Sequence, residues 1–259
     1  MSTTNLNHLD EMLTKLRLIT IRDRLDSLLD EATRNDWTLR ETIQYLCEQE
    51  VATREQSRHC LGMRMAKFPY ARTLEQFDFT AQPSIDEKQL RELELCRWVG
   101  NGDSVLLLGP PGVGKTHLAV GLGRSAVARG YTVLFASAVP LLTDLSKAHQ
   151  DGQLEARLVH YSKPKLLIID ELGYLPFDPK AAHLFFQLVA RRYEKGSLLI
   201  TSNRPVGEWG GVFGDSVVAT AILDRVLHHS HVLAIRGESY RLREKRRSGL
   251  IKSAEATAS

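Results

Sequence analysis

The sequence is poor in cysteine, in charge of one sign and in long apolar runs, and each shortage removes a class of protein. Cys47, Cys60 and Cys96 are the only cysteines. They are odd in number and far apart, so they form neither a CxxC pair nor a disulfide framework. Apolar runs such as Leu166–Ile169 fall far short of the roughly 20 residues that a membrane span needs. Met1 is followed by Ser, Thr and Asn, without the basic and apolar regions of a secretory signal. Thirty-four Lys and Arg against thirty-one Asp and Glu leave a formal charge of +3, too near neutral to mark a nucleic-acid binder by itself. These absences together predict a cytoplasmic protein in a reducing compartment. What is present, 259 residues of which 43% are hydrophobic, suffices for one or two domains with a sizeable core.

No glycine precedes Gly62, which favours helices over strands and turns. Leu9, Met12, Leu13 and Leu16, then Leu25, Leu28 and Leu29, recur at steps of three and four and share a helical face. Asn35-Asp36 interrupts the pattern. Thr38 stands three residues before Glu41, the spacing of a capping box, so a further helix is predicted from there through Val51. A helical domain over 1–66 follows, suited to self-assembly or to partner or DNA binding. Residues 67–85, with Phe68, Tyr70, Phe77 and Phe79, read as an ordered linker, because its aromatics need a surface to pack on.

Apolar strands then alternate with helices. Strands are predicted over 104–108, 131–136, 165–170, 197–202 and 231–235, and helices over 116–129, 179–194 and 217–228. Continuous apolar strands separated by helices predict an α/β domain over 86–247, a parallel sheet covered on both faces. Residues 248–259 form a polar tail, whose small residues from Ser253 predict disorder.

The segment Gly109-Pro110-Pro111-Gly112-Val113-Gly114-Lys115-Thr116 fits GxxxxGK[ST] between a strand and a helix. Glycines let backbone N–H groups turn toward phosphates, the helix N-terminus adds its positive end, and Lys115 reaches the terminal phosphates. Residues Gly109 to His117 are therefore the expected nucleotide-binding segment, with the Thr116 hydroxyl as a Mg²⁺ ligand. Asp170 ends an apolar strand 55 residues after Lys115. It is the expected second anchor for Mg²⁺, and Glu171 the general base for the attacking water. This makes the chain a P-loop NTPase. The next strand ends in Thr201-Ser202-Asn203, where Asn203 would sense the terminal phosphate if the two strands are neighbours.

Arg225, late in a predicted helix, reads on its own as a surface arginine. Five basic residues between Arg54 and Arg72 face only Glu55, and seven between Arg236 and Lys252 face two glutamates. Either run can meet a phosphate backbone or water. No Cys or carboxylate nearby completes a ligand set with His228, His229 and His231, so they read as helix-end histidines rather than as a metal site.

With both phosphate-binding motifs, Asn203 and Arg225 in this order, the chain resembles the AAA+ ATPases of the initiator and helicase-loader clade. Phe68-Pro69, Leu74-Glu75-Gln76-Phe77-Asp78-Phe79, the DELGYLP segment from Asp170 and the RGESYR segment from Arg236 narrow the resemblance to IstB-type helper ATPases of bacterial insertion sequences. It extends over nearly the whole chain. The resemblance implies an ATPase that uses ATP and Mg²⁺ and forms homo-oligomers on double-stranded DNA, largely without regard to sequence. Such a protein would present the DNA to a partner transposase, and hydrolysis would control disassembly. Carried over by position, Lys115, Asp170, Glu171 and Asn203 serve catalysis. Arg225 becomes an arginine finger acting across a subunit interface, and Arg241 a second arginine sensor. The clade's DNA-facing helix would fall at 141–160, where Lys147 and Arg157, together with Arg64 and Lys67, are the expected DNA contacts. Only 18 residues follow Arg241, too few for the helical lid of most relatives, so Tyr70, Phe77 and Phe79 are expected to cover the base.

A replicative-helicase loader of the DnaC type is the other reading, because the nucleotide site cannot separate the two. A transporter ATPase would need an LSGGQ-type signature and a GTPase an NKxD segment. The sequence has neither.

Overall fold

A computed structural model of the chain describes residues 3–174, 177–240, 242 and 243. It divides into two compact units between Leu61 and Gly62. The first contains α1 (Thr3–Lys15), α2 (Ile19–Arg34) and most of α3 (Leu39–Ala66). The capping box forms: Thr38 N donates to Glu41 Oε2 at 2.8 Å, and Glu41 N to Thr38 Oγ1 at 3.4 Å. Glu50, buried on α3, accepts from the free N–H groups of Thr20 and Ile21 at the start of α2 and from Arg54. One carboxylate thus ties two helices by serving donors that α2 leaves unmet.

The second unit is an α/β domain. Its elements are α4 (Glu87–Glu94), α5 (Arg97–Asn101), β1 (Ser104–Leu108), α6 (Lys115–Ala128), β2 (Val133–Ser137), α7 (Ala138–Gln150), α8 (Leu154–Ser162) and β3 (Leu166–Leu172). There follow α9 (Pro179–Arg192), β4 (Ser197–Ser202), a 3-10 turn (Val206–Glu208), α10 (Trp209–Phe213), α11 (Ser216–His228) and β5 (Ser230–Ala234). All strand pairs are parallel, in the order β2-β3-β4-β1-β5. The predicted strands are all present, with ends moved by one or two residues. The expected helix over 141–160 is instead two, α7 and α8, separated by a turn at residues 151–153.

Strand side chains alternate between faces. Leu106, Leu167, Ile169, Leu198 and Ile200 enter one core beneath α7, α8, α9 and α11. Val105, Leu107, Leu166, Ile168 and Leu199 enter another with α4 to α6. Leu74, Phe77 and Ile85 of the linker belong to this second core, with Phe68 and Phe79 partly buried against it, whereas Tyr70 is exposed. Both faces are dry, which is why the central strands read as unbroken apolar runs.

Candidate nucleotide site and a remote arginine

β1 and β4 place the candidate site at the sheet's C-terminal edge. Beyond Leu108 the chain turns through the glycine-rich loop into α6. Gly114 has φ +97°, and a Cβ there would stand 2.6 Å from the Phe77 ring. Only glycine suits both the conformation and the close approach. Lys115 is buried, and its ammonium donates to Gly109 O at 2.7 Å and Pro110 O at 2.8 Å. The linker closes one side of the loop: His117 Nε2 lies 2.8 Å from Thr73 O, and Phe77 packs edge-on to both His117 and Phe79. Tyr70 is exposed. On the other side Tyr240 N donates to Gly112 O at 3.0 Å.

β3 lies beside β4, so Asp170 and Glu171 end the strand next to Thr201. The Thr116 hydroxyl is 3.0 Å from each Asp170 oxygen, and Thr201 Oγ1 donates to Asp170 Oδ1 at 2.5 Å. Glu171 N donates back to Thr201 Oγ1 at 2.9 Å. Glu171 has φ +64° at a register shift between Ile169 and Leu172, a left-handed conformation that is costly for a residue with a Cβ. The bulge turns Glu171 outward while Asp170 stays buried. Burial pushes the Asp170 carboxyl above its ordinary value, against the hydrogen bonds from Thr201 and Thr116 and the charge of Lys115. A hydroxyl and a carboxylate at one point are hard oxygen donors, a set that fits Mg²⁺.

β4 is paired with β3 on one side and β1 on the other. Asn203, one residue past its end, therefore sits between the Asp170 strand and the glycine-rich loop. Its Oδ1 is buried without a hydrogen-bond partner among the described residues. An unmet buried acceptor on a carboxamide fits a group that gains partners on ligand binding. Thr201, which holds both acidic residues, was legible as part of a polar strand end but not as their support. The signal is the register: Ile169 pairs with Ile200, so the next residues, Asp170 and Thr201, are neighbours.

Arg225 is elsewhere. It lines a cleft with Ser104 and Leu198, the beginnings of β1 and β4, whereas the glycine-rich loop follows the end of β1. The four steps from Ser104 to Leu108, at about 3.3 Å each, separate the two edges by about 13 Å. Its guanidinium donates to Ala221 O at 2.9 Å and lies 4.9 Å from the Phe186 ring centre. Buried Arg192, absent from the sequence reading, fills the same edge and donates to the carbonyls of Tyr161, Ser162, Pro164, Lys165 and Ser197.

Among the expected DNA contacts, Arg64, Lys67, Lys147 and Arg157 are all exposed. Arg157 pairs with Asp144 at 3.0 Å. Burial holds His160 below its ordinary value, aided by the charges of Arg157 and Lys67, so the fold brings together two cations 90 residues apart. Arg241 and residues 244–259, including most of the second basic run and the predicted tail, lie outside the described residues, as do Leu175 and Pro176 of the DELGYLP segment. Among the described residues no helix is long and apolar enough to cross a membrane.

The sequence profile of the IstB-like ATP-binding proteins matches residues 11–248. A protein of insertion sequence IS21 from Pseudomonas aeruginosa, named for ATP binding, is 46% identical over 246 residues, covering 95% of this chain and 93% of that one. Its counterpart in IS5376 of Geobacillus stearothermophilus is 45% identical over 232 residues, 90% of this chain and 92% of that one. Among solved structures, the AMPPCP-bound DnaA of Aquifex aeolicus superposes with a TM-score of 0.56 at 18% identity, over 74% of this chain and 58% of that one. DnaI superposes at 0.51 and 21%, over 65% and 89%. These two likenesses concern the fold.

Proposed function

The chain belongs to the family of IstB-like ATP-binding proteins, and on that premise we propose that it is an Mg²⁺-dependent AAA+ ATPase that assembles on duplex DNA and engages a transposase. The observation that carries the reading is the separation of Arg225 from the Thr116–Asp170–Thr201–Glu171 network. A complete set of nucleotide-handling groups stands at one sheet edge and the candidate finger at the other, an arrangement that supports hydrolysis at an interface between copies.

In this reading Lys115 leaves the loop carbonyls for the terminal phosphates, and the N–H groups of Gly112 to Thr116 bind the phosphate oxygens. Thr116 and Asp170 hold Mg²⁺, which neutralises phosphate charge when bound. Glu171 accepts the proton of the attacking water, and the Asn203 carboxamide orients that water against the terminal phosphate. Arg225 of an adjoining copy stabilises the charge that develops on the transferred group. Phe77 and Phe79 flank the loop from the linker side and help to cover the base. Lys67 and Arg157 around His160, together with Arg64 and Lys147, supply contacts to the phosphate backbone, and such contacts read no sequence. Hydrolysis then releases the assembly.

The test is sizing of Glu171→Gln with random duplex DNA, with and without ATP and Mg²⁺. The proposal expects a large complex that depends on ATP, ignores DNA sequence and weakens with salt. If the protein binds no duplex at low salt but captures a ring helicase, it is a loader and the DNA part of the proposal falls.

A further inference from the structure

We propose that Glu194, His228 and His229 form a binding site for a divalent transition-metal ion of the Zn²⁺ class, at the sheet edge opposite the nucleotide loop. The sequence hides this site because the carboxylate comes from the turn between α9 and β4, 34 residues before the first histidine. The fold closes that gap: the ligand atoms of the three side chains all lie within 4.8 Å of one another. His228 does end α11, as the sequence suggests, but the fold brings a carboxylate to it that the sequence keeps distant.

Several features converge on the same point. His228 ends α11 and His229 follows it, with their ring centres 4.1 Å apart. The His229 carbonyl accepts from Ser104 N at 2.8 Å, which pins that backbone to the start of β1. Glu194 is held at φ +58° in a turn whose backbone packs on Gly102. Tyr193 Oη lies 2.6 Å from His228 Nδ1, and the two rings stack. A metal-bound imidazole usually has its second nitrogen engaged in this way, which fixes the ring and leaves the other nitrogen for the ion.

The donor set selects the class of ion. Two imidazoles and one carboxylate suit Zn²⁺ and its neighbours, whereas Mg²⁺ prefers oxygen donors and keeps its waters. Zn²⁺ bonds of about 2.0–2.1 Å in a tetrahedron place ligand atoms about 3.3 Å apart. All three side chains are exposed, so modest rotations close the remaining distance. Three protein ligands leave a fourth position for water, as expected of an exchangeable ion rather than a closed structural site. Glu194 and His229 also line the cleft that holds Arg225. An ion bound there adds positive charge beside the candidate finger.

The experiment is calorimetric titration of Zn²⁺ into the untagged full chain carrying Cys47→Ser and Cys60→Ser, with excess Mg²⁺ present to fill oxygen sites. The two serines remove the exposed thiols, which would bind Zn²⁺ on their own. We expect one Zn²⁺ per chain, at least tenfold weaker binding in both Glu194→Gln and His229→Ala, and unchanged binding in His231→Ala. ATP binding by each variant checks that it is folded. Absence of a Zn²⁺ site in the parent chain overturns the proposal. So does equal binding by the Glu194 and His229 variants, or an equal loss in His231→Ala.

Discussion

The hydroxyl of Thr116 stands 3.0 Å from both carboxylate oxygens of Asp170, across 54 residues of chain. The contact exists because β4 stands between β1 and β3 and brings the ends of all three strands to one edge. Thr201, on that middle strand, completes it. Its single hydroxyl donates to Asp170 and accepts from Glu171 N, so one side chain fixes both acidic residues.

Replacing Thr201 by valine keeps the shape and removes both bonds. A hydrogen bond to a charged group is worth about 2 kcal/mol, so kcat is expected to fall about 30-fold. ATP affinity should change little, because the Thr201 hydroxyl serves Asp170 and Glu171, the groups assigned to metal and water, in the bonds it makes. Steady-state hydrolysis with a parallel nucleotide-binding titration checks the split. An equal loss in affinity would assign Thr201 to binding instead.

Asp170 predicts an unusual pH dependence. Burial raises its carboxyl above the ordinary 3.8, so the folded state holds a proton that the unfolded state has already released. Between 3.8 and the higher folded value the folded chain binds more protons, and this group's contribution to stability falls as pH rises. Without nucleotide and Mg²⁺, Asp170→Asn should therefore unfold at a higher temperature than the wild type at pH 7, with the gap narrowing toward pH 4. Thermal melts across that range decide the point. A variant less stable at pH 7 would mean that the hydrogen bonds to the carboxylate outweigh its burial.

Arg192 is 1% exposed, and burial pulls its guanidinium down to about 10. It caps the strand-start edge through five carbonyls. Arg192→Leu removes all of these bonds and should cost on the order of 3 kcal/mol, read as a shifted denaturation midpoint. Lysine offers one point of donation instead of a planar fork, so Arg192→Lys should recover only part of the loss.

If Lys67 and Lys147 meet phosphates, Lys67→Ala and Lys147→Ala should weaken binding to all duplex sequences alike. Each should lower the slope of log affinity against log salt by about one. Fluorescence titrations at several salt concentrations measure this. An unchanged slope would remove that residue from the interface.

What the sequence made legible was local. The glycine-rich loop, the apolar strands and the Thr38–Glu41 cap are set by residues near one another in the chain, so pattern and spacing sufficed. Asp170 and Glu171 were legible because a carboxylate pair ending an apolar strand is a local pattern too. Thr201 and the approach of Glu194 to the histidines depend on strand order and register, and the Asp144 partner of Arg157 depends on how α8 packs back on α7. A sequence does not print those. Arg192 was opaque for another reason: arginine is ordinarily a surface residue, and only the convergence of five carbonyls makes its burial affordable.

The most direct test of the account is complementation between two inactive variants. In the proposed mechanism Lys115→Ala keeps the candidate finger and loses the proposed phosphate contact, while Arg225→Ala keeps the candidate nucleotide site and loses the candidate finger. Each alone should hydrolyse ATP at least about a thousandfold more slowly than the wild type. Mixed on DNA, they should recover activity well above the sum of the two, because some interfaces then pair an intact site with an intact Arg225. A mixture no more active than its parts, or an Arg225→Ala protein that turns over normally, would contradict catalysis across an interface.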